Sequence, residues 1–346
     1  MKSLWQFQIT ITFFLLVSYT PTYSQQGCTD PLANNFDSTA SINNGSCTYN
    51  NSNYSPRVKV RTLNSVLNES GGLQMADNFL WSFNDGGGEA ALYRIDTITG
   101  SLLQTVYLQN ATNVDWEDIG FDGKFFYIGD FGNNLNGART DLKIYKFPLS
   151  AIPGYKANPI VTIPAEKIEV ISFKYQNQLI PTASPVNSTR FDCEAMIVDD
   201  GKIHLFSKNW VDINTTHYVI NNTVGGAYIA DSVETMETGY LVTAADKAPG
   251  KDIVVFLGYF AKAPGKHFLH ILADYSSGNY FNGNKRKVDL PSALRLGQAE
   301  GITFRKGTYG YISNEKLTAG PFTIKQKLHS FDISGFVKVA AKLRSE

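Results

Sequence analysis

The chain has 346 residues, in which 31 Lys and Arg balance 31 Asp and Glu. Because no net positive field would attract phosphate groups, this balance argues against a nucleic-acid-binding protein. The 22 Phe, 18 Tyr and 29 Gly, against only 4 Met, indicate β-strands joined by tight turns. Length and composition therefore predict one large β domain or two smaller ones.

The first residues have the pattern of a secretory signal peptide. A lysine at position 2 precedes an apolar run over 9–17, and small and polar residues follow at 22–25. The run is shorter than the roughly 20 residues that a spanning helix needs. We therefore predict a signal peptide over residues 1–24, export to the extracellular space or cell surface, and no transmembrane segment. A lipoprotein signal would use Cys28, but the residues before it lack the usual aliphatic side chain.

Three cysteines follow the predicted leader. Cys28 and Cys47 flank an Asn- and Asp-rich stretch, and an oxidising compartment favours a local disulfide between them. The segment 27–49 is too short to bury a core of its own, so it needs such a staple. Cys193 lies in a hydrophobic segment and is interpreted as a buried free thiol rather than a nucleophile.

The sequence of residues 27–49, from Gly-Cys-Thr-Asp-Pro to Gly-Ser-Cys-Thr-Tyr, resembles that of short modules in secreted Bacteroidetes proteins. Those modules are related to calcium-binding thrombospondin type 3-like repeats. Here Asn43 and Asn44 replace an acidic pair, which lowers the ligand charge for a hard cation, although Asp30 and Asp37 keep some oxygen ligands. We interpret the segment as a stapled surface module, with calcium binding left open, and residues 50–56 as a polar linker.

The rest of the chain repeats one local pattern, which is the most informative feature of the sequence. A Glu opens a strand, a turn follows, and an aromatic strand ends on Asn or Asp 13 to 15 residues later. A weaker copy over 240–259 has lost the Glu. The four repeated glutamates are Glu69, Glu117, Glu194 and Glu300.

Five such units, each a small antiparallel meander, predict an all-β protein with the β-propeller fold over residues 57–338. The last unit supplies three strands, and the segment 57–63 is expected to close the ring as its fourth strand, which removes an exposed edge. Six blades remain an alternative if residues 160–190 or 220–240 contain further strands. A β-sandwich would not explain the repeated Glu.

The motifs Asp-Trp-Glu-Asp-Ile over 115–119, Asp-Cys-Glu-Ala-Met over 192–196 and Ala-Glu-Gly-Ile over 299–302 carry a family resemblance. They resemble a family of uncharacterised secreted propeller proteins of Bacteroidetes, and more distantly the SdiA-regulated and esterase-like phytase propellers. The resemblance covers residues 57–336 and implies the fold. It implies no single activity, because propellers host many unrelated functions.

The first strand of each propeller blade lines the central channel, so the repeated carboxylates are expected to converge there. Asp115 and Asp192, two residues before Glu117 and Glu194, join this set. Carboxylates this close repel one another and need a cation, shared protons or basic partners. Oxygen-only ligands favour Ca²⁺ or Mg²⁺, and we predict Ca²⁺. The alternatives are a latch, in which each Glu accepts backbone N–H groups of the next blade, and a catalytic acid or base.

These features predict a secreted or surface-associated propeller that binds an extracellular ligand or cell-surface component, as a monomer with a structural calcium ion. Arg139 and Arg190 are candidate ligand-binding residues near the same face. The second hypothesis is a calcium-dependent hydrolase of the phosphoesterase or lactonase type, with Glu117, Glu194 and Glu300 as ligands. The absence of a compelling His or basic cluster favours the first.

Overall fold

The computed structural model describes residues 24–260, 265–276 and 278–338. Within them the chain folds into five antiparallel sheets that follow one another along the sequence, each starting at the axis and running outward. Each innermost strand contacts the innermost strands of both neighbouring sheets, and the fifth contacts the first, so the ring is closed. The protein is a five-bladed β-propeller, as predicted.

The first three blades follow the repeats read from the sequence. Blade 1 comprises Ser70–Ala76, Phe79–Asn84, Ala91–Ile95 and Leu102–Leu108, with Ile160–Ile163 added in parallel on its outside. Blade 2 comprises Trp116–Phe121, Phe125–Asp130, Lys143–Pro148 and Glu169–Tyr175. Blade 3 comprises Cys193–Asp199, Lys202–Ser207, Thr215–Ile220 and Gly226–Met236.

Blades 4 and 5 complete the ring. Blade 4, the unit without a Glu, comprises Leu241–Lys247, Ile253–Tyr259, Lys266–Ala273 and Asn284–Ser292. Blade 5 comprises Gln298–Lys306, Tyr309–Glu315, Lys327–Asp332 and, from the other end of the chain, Arg57–Val60. The smaller elements are a hairpin of Leu317–Ala319 with Phe322–Ile324, a helix at Ala293–Leu296, and 3₁₀ turns at Ser65–Leu67, Leu149–Ala151, Ala165–Lys167 and Tyr280–Asn282.

The six-blade alternative is wrong for the described residues. The two segments in which that alternative required further strands do contain them, but Glu169–Tyr175 and Gly226–Met236 are the fourth strands of blades 2 and 3. They also pair with each other in parallel, joining blades 2 and 3 at their outer edges into one eight-stranded sheet. Their half-exposed burial pattern explains why the sequence marks them weakly.

The hydrophobic core is divided among the five interfaces between neighbouring blades. Each of the five buried clusters takes its side chains mainly from two adjacent sheets, such as Trp81 and Phe83 of blade 1 with Trp116 and Phe126 of blade 2. Because both faces of a blade are covered by its neighbours, the strands are apolar on both sides. Packing across each interface therefore holds the ring together and fixes the channel.

Closure by the N-terminal strand can be tested with a matched pair of substitutions. Val60 pairs with Leu328 and is buried, whereas Val58 on the same strand is half exposed. Val60→Thr keeps the shape but buries a hydroxyl, so we expect it to lower the free energy of unfolding by about 1–2 kcal/mol. Val58→Thr should change it by less than about 0.5 kcal/mol, a usual surface effect. Equal effects in urea unfolding would contradict this packing.

The N-terminal module packs on blade 4. Cys28 and Cys47 form the predicted disulfide, and Gln26–Gly27 pairs with Ile42–Asn43. The Thr29 hydroxyl donates to Asp274 at 2.6 Å, and Asn43 donates to Asn284 at 2.9 Å. Of the segment predicted as a linker, Ser52–Asn53 pairs in parallel with the outer strand of blade 4. The module is thus attached to the propeller through side-chain and backbone contacts.

Two further observations concern the compartment of the protein. Residues 1–23 of the predicted signal peptide lie outside the described residues, so the signal peptide stays a prediction. Among the residues that the structure describes, no helix has the length and apolar character to cross a membrane.

Cys193 is buried and unpaired with another cysteine, and burial raises the pKa of its thiol, as expected for an inert core residue.

Candidate functional site

Every innermost strand contains a β-bulge near its beginning, and in blades 2, 3 and 5 the repeated Glu is located at this bulge. In blade 2, Asp118 pairs with Gly129 and Trp116 pairs with Asp130, which leaves Glu117 as the extra residue. The same register shift leaves Glu194 unpaired in blade 3 and Glu300 unpaired in blade 5. Because a bulge re-aims a side chain and recurs at functional sites, these three glutamates are structural equivalents.

Glu69 is not equivalent to the other three glutamates, which corrects the sequence alignment of the repeats. The bulge of blade 1 falls on Gly71 and Gly72. Glu69 lies two residues earlier, where blades 2 and 3 have Asp115 and Asp192. In all three blades the carbonyl at this position accepts the N–H of the residue after the second strand, at 2.8 to 3.1 Å. The similar spacing from each Glu to the Asn or Asp that follows it in the sequence concealed this displacement of Glu69, by two residues, from the position of the other three glutamates.

The carboxylates nevertheless gather at one end of the channel, which we call the acidic mouth. Each member either affects the pKa of another member through its charge or has its own pKa affected by one. The members are Glu69, Asp85, Asp115, Glu117, Asp192, Glu194, Glu300 and Glu315, together with one cation, Lys208. All six predicted metal ligands are thus in the mouth, and the sequence reading missed Asp85, Glu315 and Lys208.

Three carboxylates of the mouth form a compact set. One oxygen from each of Asp85, Asp115 and Glu117 lies within 4.8 Å of the other two. Asp85 follows the second strand of blade 1, whereas Asp115 and Glu117 begin blade 2, so the set bridges two blades. Gly132 makes this close approach feasible, because a Cβ there would lie 2.2 Å from Glu117 Oε1 and 2.4 Å from Asp115 Oδ2.

Asp85 accepts the N–H of Gly86, but the buried Glu117 lacks the partners that burial normally requires. Glu117 is 7% exposed, and no hydrogen-bond donor or cation among the described residues contacts its side chain. Burial and then the charge of Asp85 raise the pKa of Glu117 well above its usual range. Burial and Asp85 likewise raise the pKa of Asp115 to about 7. The arrangement therefore has a deficit of positive charge.

On the blade 3 side of the mouth, a lysine supplies the positive charge. Lys208 Nζ lies 2.6 Å from Glu194 Oε1, and both side chains are 4% exposed. The ammonium also lies 5.0 Å from the centre of the Trp210 ring and 5.2 Å from that of Tyr259. Although burial opposes the charge of Lys208, the attraction of Glu194 holds its pKa well above the usual range. This ion pair is complete without any added ligand.

The two remaining glutamates of the mouth belong to blade 5. Glu300 accepts a hydrogen bond from Gln298 at 2.9 Å, and burial raises its pKa to about 7 although Lys208 lowers it. Glu315 ends the second strand of the same blade, and burial with the charge of Glu300 raises its pKa to about 9. A carboxyl with a pKa near 7 has the acidity that suits a general base at neutral pH.

The latch hypothesis holds for aspartates rather than for the repeated glutamates. Asp118 accepts the N–H of Met196 at 2.7 Å, and Asp246 accepts the N–H of Phe304 at 2.6 Å, each across a blade interface. Asp192 accepts the N–H of Asn133, on the loop after the second strand of blade 2, at 2.7 Å. Among the described residues, none of the four predicted glutamates accepts a backbone hydrogen bond through its carboxylate, which leaves those carboxylates for other partners.

The two predicted ligand-binding arginines are engaged in ion pairs. Arg139 lies 2.9 Å from Asp130 and 3.0 Å from Asp141, and it donates to the carbonyl of Gly132 at 2.8 Å. It thereby fixes the loop that carries Gly132 against the carboxylates. Arg190 is exposed and pairs with Asp212 at 2.6 Å. Their predicted roles in binding a ligand stay predictions.

No protein-family model and no characterised protein sequence matches the chain. Among solved structures, a putative 6-phosphogluconolactonase from Bacteroides uniformis is 13% identical, covering 74% of this chain and 70% of that one, with a TM-score of 0.36. The tail fibre of Staphylococcus aureus phage P68 is 12% identical over 81% of this chain and 53% of its own, with a TM-score of 0.43.

A chain of the mitotic checkpoint complex is 13% identical over 76% of this chain and 64% of its own, with a TM-score of 0.35. This chain therefore spans less than two thirds of two of these three neighbours. Scores this low add no argument about function. The family relationship stays a prediction, and the assignment as a five-bladed propeller rests on the strand order and register of the molecule itself.

Proposed function

We propose that this protein is a secreted or surface-associated, monomeric propeller that binds a divalent cation, Ca²⁺, in the acidic mouth and an extracellular ligand above it. The observation that carries the proposal is Glu117, a buried carboxylate that lacks a donor or cation among the described residues. Asp85 and Asp115 supply further oxygens within 4.8 Å. The disulfide between Cys28 and Cys47 suits an oxidising compartment.

The donor set fits a hard cation. All three candidate ligands are carboxylates, which Ca²⁺ and Mg²⁺ prefer, and no His or thiolate accompanies them in the described set. Ca²⁺ takes six to eight oxygens, so about three carboxylates leave coordination positions for water or for oxygens of a bound molecule. A cation held there would offset the repulsion that raises these pKa values, and it would present a positive centre to an oxygen-rich ligand.

The proposal predicts a metal-dependent gain in stability. The protein is first stripped of metal with a chelator, which is then removed. Adding calcium at 100 times its Kd should then raise the free energy of unfolding by about 2.7 kcal/mol. Glu117→Gln keeps the side-chain shape but removes the charge, so we expect this gain to be lost. The matched control is Glu166→Gln, which changes an exposed glutamate on a short 3₁₀ turn and should keep the full gain. Melting curves and metal analysis of the mature protein give the readout.

Two results would contradict the cation site. One is mature protein that retains no metal and whose melting temperature is unchanged by Ca²⁺, Mg²⁺ or Mn²⁺. The other is an undiminished calcium effect in Glu117→Gln. Because the neutral glutamine also removes repulsion, the metal-free variant should be at least as stable as metal-free wild type at pH 8.

The second proposal is the calcium-dependent hydrolase. It is favoured by Glu300, whose pKa of about 7 would let it accept a proton from water at neutral pH. Assays with p-nitrophenyl phosphate and glucono-δ-lactone, with and without calcium, decide between the two. Calcium-dependent turnover that disappears in Glu300→Gln would favour the hydrolase. No turnover in protein that binds calcium would favour the ligand-binding propeller.

A further inference from the structure

A pair of loops projects from the rim of the acidic mouth between blades 2 and 3. One loop follows the second strand of blade 2, and the other connects blade 2 to blade 3. We call their residues 133–138 and 176–189 the apolar lobe. The N–H of Asn133 donates to the mouth carboxylate of Asp192 at 2.7 Å, so the lobe begins at the wall of the mouth.

The apolar lobe exposes aliphatic side chains to solvent. Leu179 is 89% exposed, Ile180 80%, Leu135 70% and Val186 59%, and Val211 on the adjoining loop of blade 3 is 46% exposed. Neither segment of the lobe contains Lys, Arg, Asp or Glu. Clustered apolar surface on a protein without a membrane span marks an interaction site, and depletion of charge is typical of the core of a protein interface.

Hydrogen bonds hold the two segments of the lobe together. The N–H of Ser184 donates to the carbonyl of Asn136, and that of Asn187 donates to the carbonyl of Asn134, both at 2.8 Å. The aliphatic side chains are therefore presented by a paired backbone. A surface that is ordered before binding loses less conformational entropy when a partner docks.

The acidic mouth is open on the same face of the propeller. Glu69 is exposed, and Asp85, Asp115 and Glu315 are half-buried, so their carboxylates are accessible from this face. The eight carboxylates of the mouth outnumber the positive charges of Lys208 and one added divalent cation, so the formal charge stays negative with or without calcium. Basic side chains are attracted to such a surface, whereas phosphates and carboxylates are repelled.

The lobe and the mouth together define the chemistry of a partner. The lobe offers contact to apolar side chains, and the mouth beside it offers contact to basic ones. An anionic lipid surface would meet the lobe but would be repelled by the mouth, and the lobe has no Lys or Arg to attract its headgroups.

We propose that the apolar lobe and the acidic mouth form one docking surface for a protein segment in which Lys or Arg lies beside aliphatic or aromatic residues. The docking surface rests on the ligand-binding part of the proposed function and not on its calcium site. The segment is the extracellular ligand, and it binds in the presence and in the absence of calcium.

The test selects phage-displayed linear dodecapeptides on the mature full-length protein at pH 8, once in a chelator and once with calcium. We expect both selections to enrich Lys or Arg beside Leu, Ile, Val or Phe. The most enriched peptide, synthesised and titrated in a calorimeter, should bind with a Kd below about 100 μM. Replacing its basic residue with Gln should weaken binding about fivefold or more, because the attraction to the mouth is lost.

Leu179→Ser combined with Ile180→Ser tests the lobe. This double variant removes the two most exposed aliphatic side chains and should weaken peptide binding about tenfold or more, because their burial against the partner is lost. Its melting temperature should be unchanged, since both side chains are exposed. The matched control is Ile98→Ser, which changes a 77% exposed residue on the turn between the third and fourth strands of blade 1, at the opposite end of the channel. It should leave peptide binding unchanged.

Four results would overturn the proposal. The first two are selections without enrichment of basic residues beside apolar ones, and equal peptide binding by the double variant and wild type. The third is binding to vesicles of phosphatidylcholine and phosphatidylglycerol that the double variant loses, which would assign the lobe to a lipid surface. The fourth is a dimer of the protein that the double variant abolishes, which would assign the lobe to a second copy. The selection in a chelator is independent of calcium, so failure of the calcium site and failure of the docking surface give different results.

Discussion

Lys208→Met is expected to lower the free energy of unfolding by about 3–5 kcal/mol, the usual cost of removing one partner from a buried ion pair. Lys208 and Glu194 are each 4% exposed and their charged atoms are 2.6 Å apart. Methionine keeps most of the side-chain length, so the change leaves the Glu194 carboxylate without its cation. Urea unfolding at pH 7.5 in the presence of a chelator measures the effect.

A double-mutant cycle separates charge from packing. Glu194→Gln combined with Lys208→Met removes both charges, and we expect most of the lost stability to return, because neutral replacements of a buried pair are often tolerated. The defect of Lys208→Met alone should shrink as the pH is lowered, because burial raises the pKa of Glu194 and the protonated carboxyl needs no cation. A single-mutant effect below about 1 kcal/mol, or no recovery in the double variant, would show that the pair is not buried as described.

Metal-free protein is expected to lose stability as the pH rises from 5 to 8, because folding raises the pKa values of Asp115 and Glu300, each to about 7. The folded-state pKa of Glu300 is raised from 4.5 to about 7. A group whose pKa is raised by folding contributes stability that is present at low pH and lost as the pH rises through its folded pKa. For Glu300 alone, the loss between pH 5 and 7 amounts to about 2 kcal/mol at 1.36 kcal/mol per unit.

Glu315 extends the pH dependence further, since its pKa is raised to about 9. Glu300→Gln should remove part of the loss between pH 5 and 7, because glutamine keeps the shape and does not ionise. Asp115, whose pKa is also raised to about 7, should account for a further part. Glu166→Gln, an exposed change, should retain the full dependence. Chemical unfolding at half-unit pH steps in a chelator gives the measurement. Stability that rises with pH in wild type would contradict the burial of these carboxyls.

The parts of the fold that follow from local pattern were predicted correctly. The five meanders, the closing role of the strand Arg57–Val60 and the disulfide between Cys28 and Cys47 each depend on short runs of residues. Strands that are apolar on both faces, such as Phe125–Asp130, stand out from the turns around them. The outer strand Gly226–Met236 does not, because its exposed residues dilute the apolar pattern.

The composition of the candidate site was predicted only in part. Glu117 and Asp115 were chosen because their motif repeats, and the structure places both in the acidic mouth. Asp85 belongs to no motif, since it simply follows the second strand of the preceding blade, and only the contact between blades 1 and 2 brings it near them. Lys208 likewise directly follows the second strand of its own blade. A comparison of the residues that follow the second strands would therefore have indicated both Asp85 and Lys208.

The sequence by itself determined the class of fold and the accumulation of carboxylates on the innermost strands, because these depend on alternation and repetition along the chain. The structure decided for five blades over six. The tertiary structure decided which carboxylates lie together, which of them has a cation, and that Glu69 is offset from the other glutamates. A β-bulge shifts the register by one residue without a clear mark in the sequence. Residues that meet across a blade interface are distant in sequence. Which charged side chains become neighbours is therefore decided only when the ring closes.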